Sequence, residues 1–159
     1  MTTKIPIYYW DAQCWIAFFN REETTDPVYL AALETTYREM LAGHVHLMVC
    51  TLFYSEVLDI PLPEKTLEAL STCPYFTFVE TTTAVHRLAG ELRKRCKEVG
   101  QKLRTPDATH IAAGQIARAT EIWTVDKALV NKSRAGLLVN TPVVYPHVDQ
   151  VSMDFDASL

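Results

Sequence analysis

The chain predicts an α/β fold, a three-layer α/β/α sandwich around a mainly parallel central sheet. Three observations predict it. Short apolar runs alternate along the 159 residues with longer segments of helical periodicity. The resulting order is βααβααβααβαβ, with no internal repeat and no low-complexity linker. Four acids also sit where apolar strands end or helices begin, places that only alternating β and α units bring to one edge of a sheet.

The first strand is read at Ile5 to Trp10, and AQCWIAFF after Asp11 reads as a short helix. A longer helix follows from Pro27 to Leu41, with Asp26 as its cap, Pro27 at its first position and Gly43 closing it. HLMVC is a short buried strand. Thr51 is placed as cap of a helix carrying LFYSEVLDI, with Glu56 about one and a half turns in. Pro61 and Pro63 end that helix and begin another that runs through Thr72. Tyr75 to Val79 is a third strand. The long helix from near Thr82 is expected to bury Val85, Leu88, Leu92, Cys96 and Val99, and Gly100 ends it. Thr105-Pro106-Asp107 opens a helix of small residues, ATHIAAGQIAR, able to pack closely on its neighbours. Glu121 to Val125 is a fourth strand, one or two helical turns follow from Lys127 to Lys132, and LLVN with TPVVY supplies a last edge strand.

Length and composition, 48% hydrophobic and 21% charged, fit one ordinary globular domain, placed at residues 1–146 with a polar tail at 147–159. A core of this size needs no disulfide or structural metal. Cys14, Cys50, Cys73 and Cys96 lie far apart and none forms a C-x-x-C pair, so reduced thiols in a cytoplasmic setting are expected. The N-terminal stretch is broken by Pro6 and lacks the longer apolar region of a secretory signal, and no segment approaches membrane-spanning length. The formal charge is −4, yet residues 87–104 hold seven of the fifteen cationic residues against only Glu91 and Glu98. One short segment is strongly basic.

Four acids, Asp11, Glu56, Asp107 and Asp126, occupy one kind of topological place, where a strand ends or a helix begins. In a parallel α/β sheet those places share the carboxyl edge. Each acid alone has an ordinary explanation. Asp11 and Asp126 suit helix caps, Asp107 suits a first helical turn behind Thr105 as N-cap and Pro106 at N1, and Glu56 suits a solvated helix face. Together they suit a site for one or two Mg²⁺ or Mn²⁺ ions, because hard cations prefer oxygen ligands and crowded carboxylates repel one another without a cation.

The segments IYYWDAQCWI, CTLFYSEVL, TPDATHIAAG and WTVD, spanning residues 7 to 126, resemble those of PIN-domain ribonucleases, most closely the VapC-type toxins of toxin–antitoxin pairs. DATHIAAG followed by a strand and TVD is the specific part of the likeness. The resemblance implies a PIN-like fold, metal-dependent cleavage of RNA by activated water, and Asp11, Glu56, Asp107 and Asp126 as the acidic metal-binding and catalytic positions. It also implies a homodimer and a cognate antitoxin whose basic side chain enters the acid cluster. The chain departs from the commonest pattern at Gln13, where a small hydroxyl residue is frequent, and at Ala128 and Leu129, where many relatives carry a further acid and a phenylalanine.

Other polar residues have two readings. Thr124 resembles a family position near the metal site, and also suits a strand. His110, one turn after Asp107, is read as a packed core residue. Arg104, Lys102 and helix cations such as Arg95 are candidates to hold RNA phosphates, the alternative being a solvated helix face. Trp10, Trp15 and Tyr54 are read as core rather than as base-stacking platforms. No G-x-S-x-G, P-loop or dinucleotide fingerprint occurs. Two rival functions stand beside the nuclease: a catalytically silent PIN-like module that binds RNA or protein, and a receiver-like Mg²⁺-binding signalling domain. The second wants two adjacent acids after the first strand, and Asp11 is followed by Ala12.

Overall fold

In the computed structural model, residues 4–21, 23–57 and 64–148 are described. They form β1 (Ile7–Trp10), α1 (Ala12–Asn20), α2 (Pro27–Leu41), β2 (His46–Cys50), α3 (Phe53–Glu56), α4 (Glu64–Thr72), β3 (Phe76–Val79), α5 (Thr83–Glu98), α6 (Thr105–Ile116), β4 (Glu121–Trp123), α7 (Lys127–Arg134) and β5 (Val143–Val144). The order matches the alternation read from the sequence.

The strands form one sheet in the order β3-β2-β1-β4-β5, and every pairing is parallel. The chain builds outward from β1 through β2 to β3, then returns across α5 and α6 to place β4 on the other side of β1. Strand order therefore reverses at β1, and the crevice beyond the carboxyl ends of β1 and β4 is where such sheets usually hold ligands.

The core is built from aromatic side chains on β1, α1 and β4. Tyr9, Trp10, Trp15 and Trp123 are fully buried. Trp10 packs against Trp15 at 4.5 Å between ring centroids and stacks on Trp123 at 6.0 Å. Trp10 and Trp15 are core residues, as the sequence suggests. Tyr54 instead is half-exposed and stacks on Phe78 at 5.0 Å.

Several boundaries differ from the sequence reading. The helix assigned to LFYSEVLDI is a single turn, and its continuation at residues 58–60, with Pro61 and Pro63, lies outside the described residues. Thr51 does not cap it: its amide still donates to Val79 O, extending the β2–β3 ladder, while its carbonyl accepts from Tyr54 N. Thr105 is likewise not a cap, because Arg104 takes the N-cap position and Thr105 is the first helical residue. Along α5 the buried stripe is Val85, Ala89, Leu92 and Cys96, with Leu88 half-buried. Val99 is exposed, because the helix ends at Glu98 and Gly100, at φ +74°, turns the chain away. LLVN is not a strand, since Val139 and Asn140 both have positive φ, and only Val143–Val144 pairs with β4. Of the polar tail, His147 hydrogen-bonds Glu121, and residues 149–159 lie outside the described residues.

The small-residue helix α6 packs directly on the sheet. A Cβ at Gly114 would lie 2.7 Å from Ile122 Cγ1 and 3.1 Å from Tyr9 Cγ, closer than side chains pack, so glycine sets the α6–sheet distance. Gly114→Val is expected to cost about 1–3 kcal/mol by overpacking, read as a lower urea midpoint at an unchanged slope; wild-type stability would show that the helix can lift off at no cost.

Candidate functional site at the carboxyl edge of the sheet

Parallel registration places the first acid. β1 pairs with β4 so that Trp10 lies opposite Trp123, and Asp11 N donates to Trp123 O at 3.1 Å, which sets Asp11 and Thr124 side by side where both strands end. Asp11 is the N-cap of α1, its Oδ1 accepting from Cys14 N at 2.9 Å. It is nonetheless buried. Burial raises its pKa, and the Thr124 side chain, the His110 charge and the Cys14 amide only partly offset that.

Thr124 is fully buried, and its hydroxyl oxygen accepts from Asp126 N at 3.1 Å while its side chain hydrogen-bonds Asp11. It ties two of the acids together rather than facing solvent. Asp126 caps α7, with Oδ1 accepting from Ala128 N at 2.8 Å. The capping alternatives for Asp11 and Asp126 are thus both realised. They do not exclude a functional role, because a cap uses one carboxylate oxygen and leaves the other free.

Glu56, the last residue of α3, is held from α6. His110 Nε2 lies 2.7 Å from Glu56 Oε2, and His110 Nδ1 lies 2.6 Å from the Tyr9 hydroxyl and 3.5 Å from Cys50 Sγ. Tyr9 Oη also accepts from Cys50 N at 3.0 Å, so β1, β2, α3 and α6 meet at one buried histidine. His110 is buried, as the sequence reading has it, but it also orients an acid. Burial disfavours its charge, yet the Cys50 sulfur and the Glu56 carboxylate outweigh that and raise its pKa from 6.5 to about 10. Tyr9 and Cys50 were missed as site residues. The available signal was spacing: Tyr9 precedes Asp11 by two on a strand, and His110 follows Asp107 by three on a helix, so each shares a face with an acid.

Asp107 stands in the first turn of α6. Arg104 Nε donates to its Oδ2 at 3.0 Å and Nη2 approaches its Oδ1 at 3.5 Å. The same guanidinium feels the charges of Asp126 and Glu56. Arg104 is therefore a shared counter-cation for three of the acids, just as His110 is for Glu56 and Asp11. Lys102, two residues before Arg104, is exposed, and Arg95 is exposed on α5. As the side chains stand, no three acidic, histidine or cysteine groups among the described residues converge closely enough to hold an ion. The fold brings the quartet to one edge, but protein cations and amides engage it.

The chain is thus an all-parallel α/β protein with acids from four separate elements along the carboxyl edge of its sheet, where the strand order reverses. The PIN domain family model matches residues 8–135, and the chain belongs to that family. No curated protein matches it in sequence. Among solved structures it is similar to a toxin–antitoxin complex from Klebsiella pneumoniae, at 17% identity and TM-score 0.60 over 89% of this chain and 99% of that one. It is also similar to VapBC2 from Rickettsia felis bound to a promoter DNA fragment, at 14% identity and TM-score 0.60 over 87% and 98% of the two chains. A third is FitAcB from Neisseria gonorrhoeae, at 14% identity and TM-score 0.57 over 87% and 97%. These likenesses establish the fold.

The raised pKa values give the site a stability signature. A group whose folded pKa lies above its unfolded value contributes stability that is complete below the unfolded pKa and is lost as pH rises through the folded one. Metal-free protein should therefore lose stability as pH rises from 6.5 towards about 10 through His110. His110→Gln should flatten that slope in urea titrations across the window; an equal slope in the variant would remove His110 as its cause. Asp11→Asn keeps the oxygen that caps α1 and removes a buried charge. It is expected to melt at or above the wild-type temperature near neutral pH, and a fall of several degrees would show that the carboxylate is instead stabilising.

Proposed function

We propose that this chain is a metal-dependent endoribonuclease, the toxin of a toxin–antitoxin pair, with Asp11, Glu56, Asp107 and Asp126 as its catalytic acids. The observation that carries the reading is the placement of these four carboxylates, from four elements, on one edge of a PIN fold around the shared cations Arg104 and His110. The four donors are carboxylates, the ligand type that Mg²⁺ and Mn²⁺ prefer, so the chemistry of the set suits such ions, while as the side chains stand no three of them converge on one point. A divalent ion bound there supplies Lewis acidity, lowering the pKa of water and offsetting charge on a phosphate.

The remaining work falls to the chain. Asp11 is held rigid by Thr124 and the Cys14 amide, and its burial makes an added positive charge favourable. Glu56 is aimed by His110, itself fixed by Tyr9. Arg104, paired with Asp107, and Lys102, two residues before it, would take phosphate oxygens that the carboxylates repel. Arg95, exposed on the preceding helix α5, serves the strand further out. Water, not a side chain, is the nucleophile, since Cys14 and Cys50 are fully buried.

The same reading gives the chain a cognate antitoxin that inserts a basic side chain among the acids, a homodimeric state and a cytoplasmic site of action. Its support is the toxin–antitoxin assemblies among the similar structures. No helix among the described residues is long and apolar enough to cross a membrane. A second reading, the silent RNA- or protein-binding module, is favoured by one observation: Asp107 is already paired with Arg104.

Cleavage of a structured-RNA panel by purified chain in Mg²⁺, Mn²⁺ and EDTA separates the two. Cutting is expected with either metal, none in EDTA, and a loss of at least about 100-fold in both Asp11→Asn and Asp107→Asn, the scale of losing electrostatic stabilisation at the reacting centre. Folded, antitoxin-free protein that cuts nothing under any condition would leave the silent module standing.

A further inference from the structure

The basic segment does not form a uniform convex surface. On α5, Gly90, Arg93, Lys94 and Lys97 fall at the i, i+3, i+4, i+7 positions of one flank, beside the buried stripe, and Gly100 and Lys102 face them across a groove of about 720 Å³. Its floor includes Leu103, which is buried. Two features keep the groove open. Gly90 and Gly100 have nothing within 4 Å of where a Cβ would stand, so neither wall is filled at those points. Arg93 Nε donates to Leu103 O at 3.1 Å, fixing the connection after α5 to the helix. Lys94, Lys97 and Lys102 are exposed and have no acidic partner among the described residues.

We infer that this groove is a binding track for the sugar–phosphate backbone of an RNA strand running to the acidic edge, engaged without base readout. The inference rests on the nuclease reading and extends it. The occupant is polyanionic because the polar lining is lysine and arginine with the single amide of Gln101. Recognition is of backbone because no aromatic side chain among the described residues lines the groove, and stacking on aromatic rings is how single-strand sites usually hold bases. Direction follows from covalent continuity. Lys102 lies two residues from Arg104, so their Cα atoms are within about 7 Å, and Arg104 is bonded to Asp107. A strand seated on the lysines is thereby led to the carboxylates. Arg87 on α5 and Arg118, just beyond the end of α6, are exposed but do not line the groove, which supplies an internal control.

The experiment compares wild type, a groove variant (Lys94→Gln, Lys97→Gln, Lys102→Gln) and a control of lower but misplaced charge (Arg87→Gln, Arg118→Gln). Binding of labelled RNAs of several sequences is measured in EDTA by fluorescence anisotropy across a salt series, and cleavage kinetics are measured in Mg²⁺. The groove variant is expected to bind all sequences at least about 10-fold more weakly. Its log K against log salt should be shallower by about 0.7 per cation removed, the single-strand value. KM should rise with kcat within about twofold, the pattern of lost uniform binding, and the control should match wild type. Equal affinity and salt slope in the groove variant and the control overturn the track, whether or not wild type cuts RNA. Wild type that binds RNA in the groove-dependent way but does not cut it keeps the track and removes the nuclease. Loss confined to one sequence overturns backbone-only recognition. Unchanged RNA affinity with lost binding of polyglutamate assigns the groove to an acidic protein partner and overturns it.

Discussion

Parallel pairing of β1 between β2 and β4 forces the ends of successive strands to one edge, and the acids at or just beyond those ends must then share it. Carboxylates so gathered repel one another, and in a partly desolvated crevice the repulsion is stronger than in water. The structure answers with two protein cations, Arg104 against Asp107 and His110 against Glu56, and with amide donors at Asp11 and Asp126. Much of what is unusual in the molecule follows from that balance. A histidine sits in the core, a threonine is buried between two aspartates, and a tyrosine hydroxyl lies under the sheet edge.

The cost falls chiefly on Asp11. Its cap bond to Cys14 and the Thr124 hydroxyl do not fully offset its burial, so the folded chain holds its proton more tightly than the unfolded chain does. A cap needs only an oxygen acceptor, and asparagine supplies one as well as aspartate does. The ionisable group at this position is therefore not required by the fold. A buried carboxylate where an amide would serve the backbone equally well supports the proposal that its charge is used, and the neighbouring His110–Tyr9–Cys50 contacts fix Glu56.

Much of the fold was legible because local chemistry and global topology agree. Asp26-Pro27 starts α2, Thr82 caps α5 and HLMVC is β2, each set by residues within a few positions of one another. Failures arose where tertiary pairing overrides local preference. Thr51 looks like a cap, but its amide completes the β2–β3 ladder. LLVN has strand propensity, but Val139 and Asn140 turn with positive φ. The positions of the four acids at one edge were legible from topology alone. Their counter-ions were less so. The Arg104–Asp107 pair is an i,i+3 spacing that a helix start makes readable, whereas His110 to Glu56 spans 54 residues and depends on α6 seating against β2.

Charge is arranged in two zones that meet at one residue. Residues 87–104 are strongly cationic in a chain whose formal charge is −4, so the rest of the surface is acidic on balance and would repel a polyanion. Solvent-exposed charges more than about 8–10 Å apart are largely screened at physiological salt, so the basic helix can attract a strand only over its own length. Arg104 is the last cation of that segment, and it is bound to an acid of the sheet edge. The attractive zone therefore ends where the acidic zone begins, with no neutral gap along the chain between them. A polyanion held along α5 reaches the carboxylates by displacing or sharing a single guanidinium, and that residue is already the counter-ion the acids require.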